Sequence, residues 1–165
     1  MMKKLYLLLS LGLLPLIADE FFSFIGIDAG YQKVQLDPAY NTKDTTHTAV
    51  GLRIGTQTRK FRGIIELENG NRYRAFDISV DAIPFDELFG TPKVRPYIGL
   101  SATVLNYDNE SLEDSDGYGF GGHVGVLIYA GEKVDIDLSY RYSTINQIDG
   151  VDTIQGVRLG IHYFY

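Results

Sequence analysis

From Phe24 to the last residue, apolar and polar side chains alternate with a period of two along most of the chain. Because successive side chains of a strand point to opposite faces, this period predicts β-strands. Most of the segments are longer than ordinary strands, which average about five or six residues, and reach the roughly 9–11 residues of a tilted bilayer-spanning strand. The eight predicted strands are Ser23–Lys33, Thr46–Gln57, Lys60–Glu68, Arg72–Ala82, Val94–Asn106, Gly117–Ala130, Glu132–Ser143 and Ile154–Tyr165.

One face of each predicted strand is apolar, and the opposite face carries charged side chains spaced by glycine. In the last strand, Val157 and Leu159 alternate with Arg158 and Gly160. The charged positions are Asp28, Arg53, Arg62, Glu66, Asp77, Asp81, His123, Asp135, Asp137, Arg141, Arg158 and His162. A soluble barrel or sandwich, such as a lipocalin-like barrel, would bury the apolar face, whereas a membrane barrel turns that face to lipid and the charges to the lumen.

Three features favour the membrane barrel. Glycine recurs on the polar face, where it relieves crowding inside a narrow barrel, although it weakens a strand. The even number of strands places both termini on one side, expected to be periplasmic. Connections alternate in length, and the long ones at 34–45, 107–116 and 144–153 then fall on the outside. The Asn-Gly turn at 69–71 and the 83–93 connection break this alternation. Aromatic side chains lie near strand ends, as in interfacial girdles; they are Tyr31, Phe61, Tyr73, Tyr129, Tyr142, Tyr163 and Tyr165.

The first residues have the pattern of a secretory signal peptide. Lys3 and Lys4 precede an apolar run from Leu5 to Ile17, and Ala18 is a small residue suited to cleavage. A transmembrane anchor is the alternative, but the run is short for a bilayer of about 30 Å. We therefore expect a signal peptide at 1–18 and a barrel domain at 19–165. Cleavage would change the formal charge from −6 to −8 by removing two lysines, which disfavours nucleic acid as a partner.

Several motifs together resemble a known family. They are "DELFG" (86–90), "PYIGLSA" (96–102), "GFGGHVGV" (119–126) and "VDIDLSYRYS" (134–143), followed by a last strand that ends in aromatics. They resemble the small eight-stranded outer-membrane β-barrels of Gram-negative bacteria, the OmpA-transmembrane-like or "porin family" barrels. The resemblance implies an all-β, up-and-down antiparallel transmembrane barrel in the outer membrane, in contact with outer-membrane lipids and lipopolysaccharide, and expected to be a monomer. It also implies that Tyr163 and Tyr165 form a C-terminal signal for the barrel assembly machinery.

The interior of an eight-stranded barrel is just wide enough for side chains, so charges in it must pair. A two-residue turn at Asn69-Gly70 predicts that Arg62 faces Asp77 and Glu68 faces Asn71. Similar arithmetic predicts the pairs Asp28–Arg53 and Asp135–His162, with Asp137 diagonal to Arg158. We therefore expect a structural or surface-interacting protein with a packed, salt-bridged lumen. A narrow channel for ions or small solutes is the alternative.

Catalysis, cofactors and metals are not expected, although three motifs resemble functional sites. The G-x-G-x-x-G match at 117–122 lacks the helix that a dinucleotide site needs. Ser139, His123 and Asp137 suggest a hydrolytic triad if they meet across the turn at Gly131, which would make the protein a lipid-modifying enzyme. The acidic stretch 107–117 contains carboxylates that can bind Ca²⁺, but a solvated outer loop is expected instead.

Overall fold

A computed structural model of the chain describes residues 21–36, 45–71, 73–85, 91–109, 112–148 and 151–165. Eight strands form one closed barrel in which every strand pairs antiparallel with the next and β8 pairs with β1. The eight-stranded up-and-down barrel predicted from the sequence is confirmed. The strands are β1 (Phe22–Leu36), β2 (Thr45–Gln57), β3 (Phe61–Gly70), β4 (Tyr73–Ala82), β5 (Val94–Asn109), β6 (Leu112–Tyr129), β7 (Val134–Asn146) and β8 (Val151–Phe164).

The barrel has two ends. The terminal end carries the start of β1, the chain's C-terminus and the connections 58–60, 83–93 and 130–133. The distal end carries the connections 37–44, 71–72, 110–111 and 147–150. Within the described residues there is no helix long and apolar enough to cross a membrane. The predicted signal peptide at 1–18 lies outside the described residues and stays a prediction.

The β5–β6 hairpin differs from the sequence expectation of a long acidic loop at 107–116. Strand β5 continues to Asn109 and β6 begins at Leu112, with an irregularity in the register between Tyr107 and Asn109. The backbone ladder therefore extends through most of the stretch that was expected to be a loop. The acidic residues of this stretch are typical of a loop in the sequence, but pairing between β5 and β6 satisfies its backbone as a strand. The carboxylate side chains at 108–114 lie outside the described part of the structure.

The outward face of the barrel is apolar around its circumference. Leu100 is 74% exposed, and Leu52 and Ile27 are exposed to a similar degree. On every strand these side chains alternate with buried ones, as in the β4 sequence Tyr73–Ala82. A soluble barrel of this sequence would leave this apolar belt in water, whereas a bilayer covers it. The arrangement is that of a transmembrane barrel.

The predicted aromatic girdle is only partly correct. Tyr31, Phe61, Tyr142, Tyr163 and Tyr165 are exposed on the outside. Tyr73 is buried inside, and its hydroxyl lies within hydrogen-bond distance of the Gln32 amide oxygen and of the Glu68 carboxylate. Tyr129 also faces the interior and accepts a hydrogen bond from Gln57. Both are near strand ends, but strand phase decides the face, and theirs is the inward one.

Candidate functional site

The barrel interior is built in three layers. Charged side chains fill the middle, and an apolar cluster lies on each side of them. The cluster toward the terminal end contains Ile83, Tyr97 and Leu127, with Tyr129 packed against it. The larger one toward the distal end is called the distal cluster here and consists of Val34, Ala49, Tyr73, Ala75, Leu105, Tyr107, Ile145, Ile148, Val151 and Ile154.

Arg158 on β8 is the centre of one half of the charged layer. Its guanidinium donates to the carboxylates of Asp28 and Glu66, and Nη1 lies 2.9 Å from Glu68 Oε2. Glu66 and Glu68 are on β3, which does not pair with β8. Arg158 therefore spans the lumen, and its long side chain links strands that share no backbone hydrogen bonds. With its side chain 1% exposed, the charge depends on these carboxylates for its stabilisation.

Arg53 joins this half to the rest of the layer. Its Nε lies 3.0 Å from Glu66 Oε2, its Nη1 3.2 Å from Asp137 Oδ2, and its Nη2 3.3 Å from Asp28 Oδ2. Three strands are thus connected through one guanidinium. The planar group presents five N–H donors, which suits it to bridging several carboxylates.

The other half of the layer surrounds Arg62. Its Nε donates to Asp81 at 2.7 Å and its Nη2 to Asp137 at 3.0 Å, while the guanidinium carbon lies 4.5 Å from the centre of the Tyr97 ring. The Tyr97 hydroxyl donates to Asp137 at 2.6 Å. Asp81 also contacts Nε2 of His123 at 2.6 Å. Asp81 and Asp137 thus both bind the Arg62 guanidinium, while Asp81 also contacts the His123 imidazole and Asp137 the Tyr97 hydroxyl.

The predicted pairing of Arg62 with Asp77 is wrong. Arg62 lies opposite Asp81, and Asp77 lies opposite Glu66. The sequence reading centred the β3–β4 turn on Asn69-Gly70, whereas both residues belong to β3 and the connection is 71–72. This changes every partner in the hairpin, so Glu68 lies opposite Ala75 instead of Asn71. Asp77 is bound by Arg141, whose Nη2 lies 3.2 Å from its carboxylate.

Three other pairings have different outcomes. Asp135 and His162 are directly opposite, with 2.7 Å between carboxylate and imidazole Nδ1, as predicted. Arg53 contacts Asp28, but its partner across the ladder is Gly26, so the contact is diagonal. Arg158 is diagonal to Asp137 in the register, as expected, yet its side chain turns to Asp28, Glu66 and Glu68.

Glycines make room for the charged layer. A Cβ on Gly51 would clash with the Asp28 carboxylate and lie 2.8 Å from Glu66 Oε1. On Gly99 a Cβ would clash with the Asp81 carboxylate and lie 2.6 Å from Cε1 of His123. Gly51 and Gly99 therefore stand where a charged side chain crosses from a neighbouring strand, and a side chain at either position would displace an ion-paired carboxylate. Other polar-face glycines make room for aromatic rings, as Gly55 does for Phe24 and Gly125 for Tyr97.

The distal cluster was not anticipated from the sequence. Its members occupy inward positions near the distal strand ends, as Leu105 does between the outward Val104 and Asn106. Consecutive apolar residues such as Val104-Leu105 break the period-two pattern and were the available signal. Gln32, which joins the hydroxyl of Tyr73 to Glu68, was likewise missed. Glu68 was expected opposite Asn71, and its contacts with Tyr73 and Arg158 were not predicted.

The candidate triad is not assembled. His123 lies opposite Arg141 and Ser139 lies opposite Gly125, so the juxtaposition of Ser139 and His123 that a triad would need is not formed across the ladder. His123 contacts Asp81, and Asp137 accepts from Arg53, Arg62 and Tyr97. A turn centred on Gly131 would place Ser139 opposite His123, and the observed register differs from this by two residues. The G-x-G-x-x-G match lies within β6, as a strand.

Comparison with known proteins rests on structure alone. No protein-family model matches the sequence, and no curated protein matches it. The crystal structure of Neisserial surface protein A (NspA) aligns with a TM-score of 0.66 at 20% identity, over 87% of this chain and 97% of that one. The solution structure of outer membrane protein H (OprH) from P. aeruginosa aligns with a TM-score of 0.59 at 22% identity, over 90% and 100%.

The N-terminal β-barrel domain of Pseudomonas aeruginosa OprF also aligns, with a TM-score of 0.51 at 16% identity over 87% of this chain and 100% of that one. The chain has the fold of the small eight-stranded outer-membrane β-barrels. At these identities the likeness extends to the fold and not to the side chains of the lumen. What this barrel does must be argued from its own interior and surface.

Proposed function

We propose that this protein is an integral barrel of the bacterial outer membrane with a structural or surface-interacting role and a closed interior. The observation that supports it best is the filling of the lumen. Arg62 and Arg158 are almost fully buried among carboxylates, and Leu105, Tyr107 and Val34 lie across the distal side of the same interior. Ions crossing this interior would have to break ion pairs and enter an apolar layer, and both steps are costly.

In this proposal the terminal end faces the periplasm and the distal connections face the environment. Outer-membrane barrels have short periplasmic turns, and the connections 58–60 and 130–133 are short enough for that side. The 83–93 connection at the same end is long, and the distal connections 71–72 and 110–111 have two residues each. The exposed Tyr163 and Tyr165 end the closing strand and act as the signal for the assembly machinery. Outer-membrane lipids and lipopolysaccharide cover the belt around a single chain.

Conductance of single barrels in a planar lipid bilayer tests the proposal. The unmodified protein should give no discrete conductance steps, because both the charged layer and the distal cluster block the lumen. A matched variant, Tyr107→Gly with Leu105→Gly, thins the distal cluster and should remain closed as long as the charged layer is intact. Stable steps from the unmodified protein would contradict the proposal and support the alternative of a narrow channel.

A further inference from the structure

The terminal end contains a cavity that the closed interior does not use. It has a volume of about 500 Å³ and opens at the mouth of the barrel. Phe22 and Phe164 line it on adjacent strands β1 and β8, and Tyr129 lines it on β6. Gln57 and Arg95 contribute polar groups, and Glu132 lies at its edge. Cavities of roughly 300–1,000 Å³ with aromatic walls and few polar groups are typical of small-molecule sites.

Two polar groups of this cavity have no hydrogen-bond partner among the described residues. They are Nε of Arg95 and the amide oxygen of Gln57, a residue that is only 4% exposed. The Gln57 amide nitrogen donates to the hydroxyl of Tyr129 at 2.5 Å, and the Arg95 guanidinium stacks 5.0 Å from the Tyr129 ring. One tyrosine thus holds both side chains in place. Unpaired polar atoms in such a position cost free energy, and both atoms are shielded from solvent.

The charges that line the cavity favour an anion. Its lining residues include the cations Arg59 and Arg95 and a single carboxylate, that of Glu132. Arg95 faces inward, opposite the buried Leu127. Lys133 instead lies 5.9 Å from the ring of Tyr163 on the outer surface. Headgroups of the bilayer can reach the outer lysine, whereas only a solute that enters the mouth can reach Arg95.

We propose that the cavity binds a small organic anion with an aromatic or apolar body. Its carboxylate pairs with the guanidinium of Arg95, and its apolar part lies between Phe22 and Phe164. Tyr129, which lines the cavity, packs against the Ile83–Tyr97–Leu127 cluster, and the charged layer lies beyond that cluster. The ligand therefore enters and leaves on the same side of the membrane and does not cross the barrel.

Phenylacetate is a suitable probe, and its neutral isostere phenylacetamide is the control for charge. Titration of the folded full barrel in detergent micelles, followed by NMR of isotope-labelled tyrosine rings, should give saturable shifts of Tyr129 with a dissociation constant on the order of 1 mM, as expected for a ligand of this size. Phenylacetamide and the Arg95→Gln variant should each show at least tenfold weaker binding. Lys133→Gln is the matched variant and should change the affinity less than twofold.

Phe22→Ser tests the aromatic wall if Arg95→Gln fails to fold, which the heat-dependent gel mobility of the barrel reports. It should weaken binding at least threefold, because the phenyl ring of the probe loses its contact. Equal loss in Arg95→Gln and Lys133→Gln would overturn the site, since it would mean only general attraction to a positive mouth. Equal binding of phenylacetamide, or no saturable shift of Tyr129, would also overturn it.

Discussion

The charged layer and the distal cluster fill the same lumen in opposite ways. In the charged layer, Arg158, Arg53 and Arg62 connect strands across the barrel through carboxylates. In the distal cluster, Leu105 and Ile145 are apolar side chains that fill space and need no ion-pair or hydrogen-bond partner. The charged layer depends on specific geometry, because each buried charge without its partner is costly. The distal cluster depends on volume and apolar area, so substitutions should affect the two regions by different rules.

Removing the cation of Arg158 should have the largest effect. Arg158→Met leaves Asp28, Glu66 and Glu68 without their shared partner, and we expect a loss of about 3–5 kcal/mol in the free energy of unfolding. Urea unfolding of the barrel in lipid vesicles measures it. Arg74→Gln, at an exposed position on β4, is the control and should change stability by less than about 0.5 kcal/mol. A loss below about 1 kcal/mol for Arg158→Met would mean that the charged layer does not support the fold.

Truncation in the distal cluster should rank next. Leu105 is 2% exposed, and Leu105→Ala should cost about 2–4 kcal/mol through lost contacts and a residual cavity. Leu105→Met nearly conserves volume and should cost less than about 1.5 kcal/mol. The same vesicle unfolding assay applies. If the methionine variant were as unstable as the alanine variant, the distal cluster would depend on specific geometry after all.

A methyl group at Gly51 should be less harmful than either change. Gly51→Ala places a Cβ against Asp28 and Glu66 and should cost about 1–3 kcal/mol by overpacking. Gly63→Ala is the matched control, because a Cβ there meets nothing within 4 Å. We expect Gly51→Ala to have a lower urea midpoint than Gly63→Ala. Equal stability would show that the charged layer yields easily to an added atom.

The smallest effect is expected on the outer surface. Tyr140 donates a hydrogen bond of 2.6 Å to Gln155 at an exposed position. Tyr140→Phe removes it and should cost about 0.5–1.5 kcal/mol. Leu138→Met, an exposed neighbour on the same face, provides the comparison without a hydrogen bond. If Tyr140→Phe lowered the free energy of unfolding more than Gly51→Ala does, the outer surface would contribute more to stability than we expect.

The faces of the strands could be predicted from the sequence, but the partners could not. The period of two placed Arg53, Arg62 and Arg158 inside, because a strand has only two faces. Partners depend on where each turn is centred, and a shift of the β3–β4 turn to 71–72 gave Arg62 the carboxylate of Asp81. Contacts such as Arg158 with Glu68 join strands that do not pair at all, so no hairpin arithmetic could find them.

The distal cluster and the terminal cavity were missed for a related reason. Inward apolar residues such as Leu105, Tyr107 and Ile145 each interrupt the alternation only locally. They form a cluster only when the fold brings the distal ends of several strands together. The cavity forms because Phe22, Phe164 and Tyr129 lie around the mouth of the barrel. Their heights along the barrel axis follow from the stagger of the strands in a closed barrel.

The central claim is that the apolar face of each strand contacts lipid and the polar face fills a closed lumen. The chain contains no Trp, so single-tryptophan variants at two adjacent residues of β5 test it directly. Ile98 is 57% exposed on the outside, and Tyr97 is buried inside at nearly the same depth. In vesicles with brominated acyl chains, the fluorescence of Ile98→Trp should be strongly quenched and that of Tyr97→Trp should not. Equal quenching of the two, or quenching of Tyr97→Trp alone, would contradict the account.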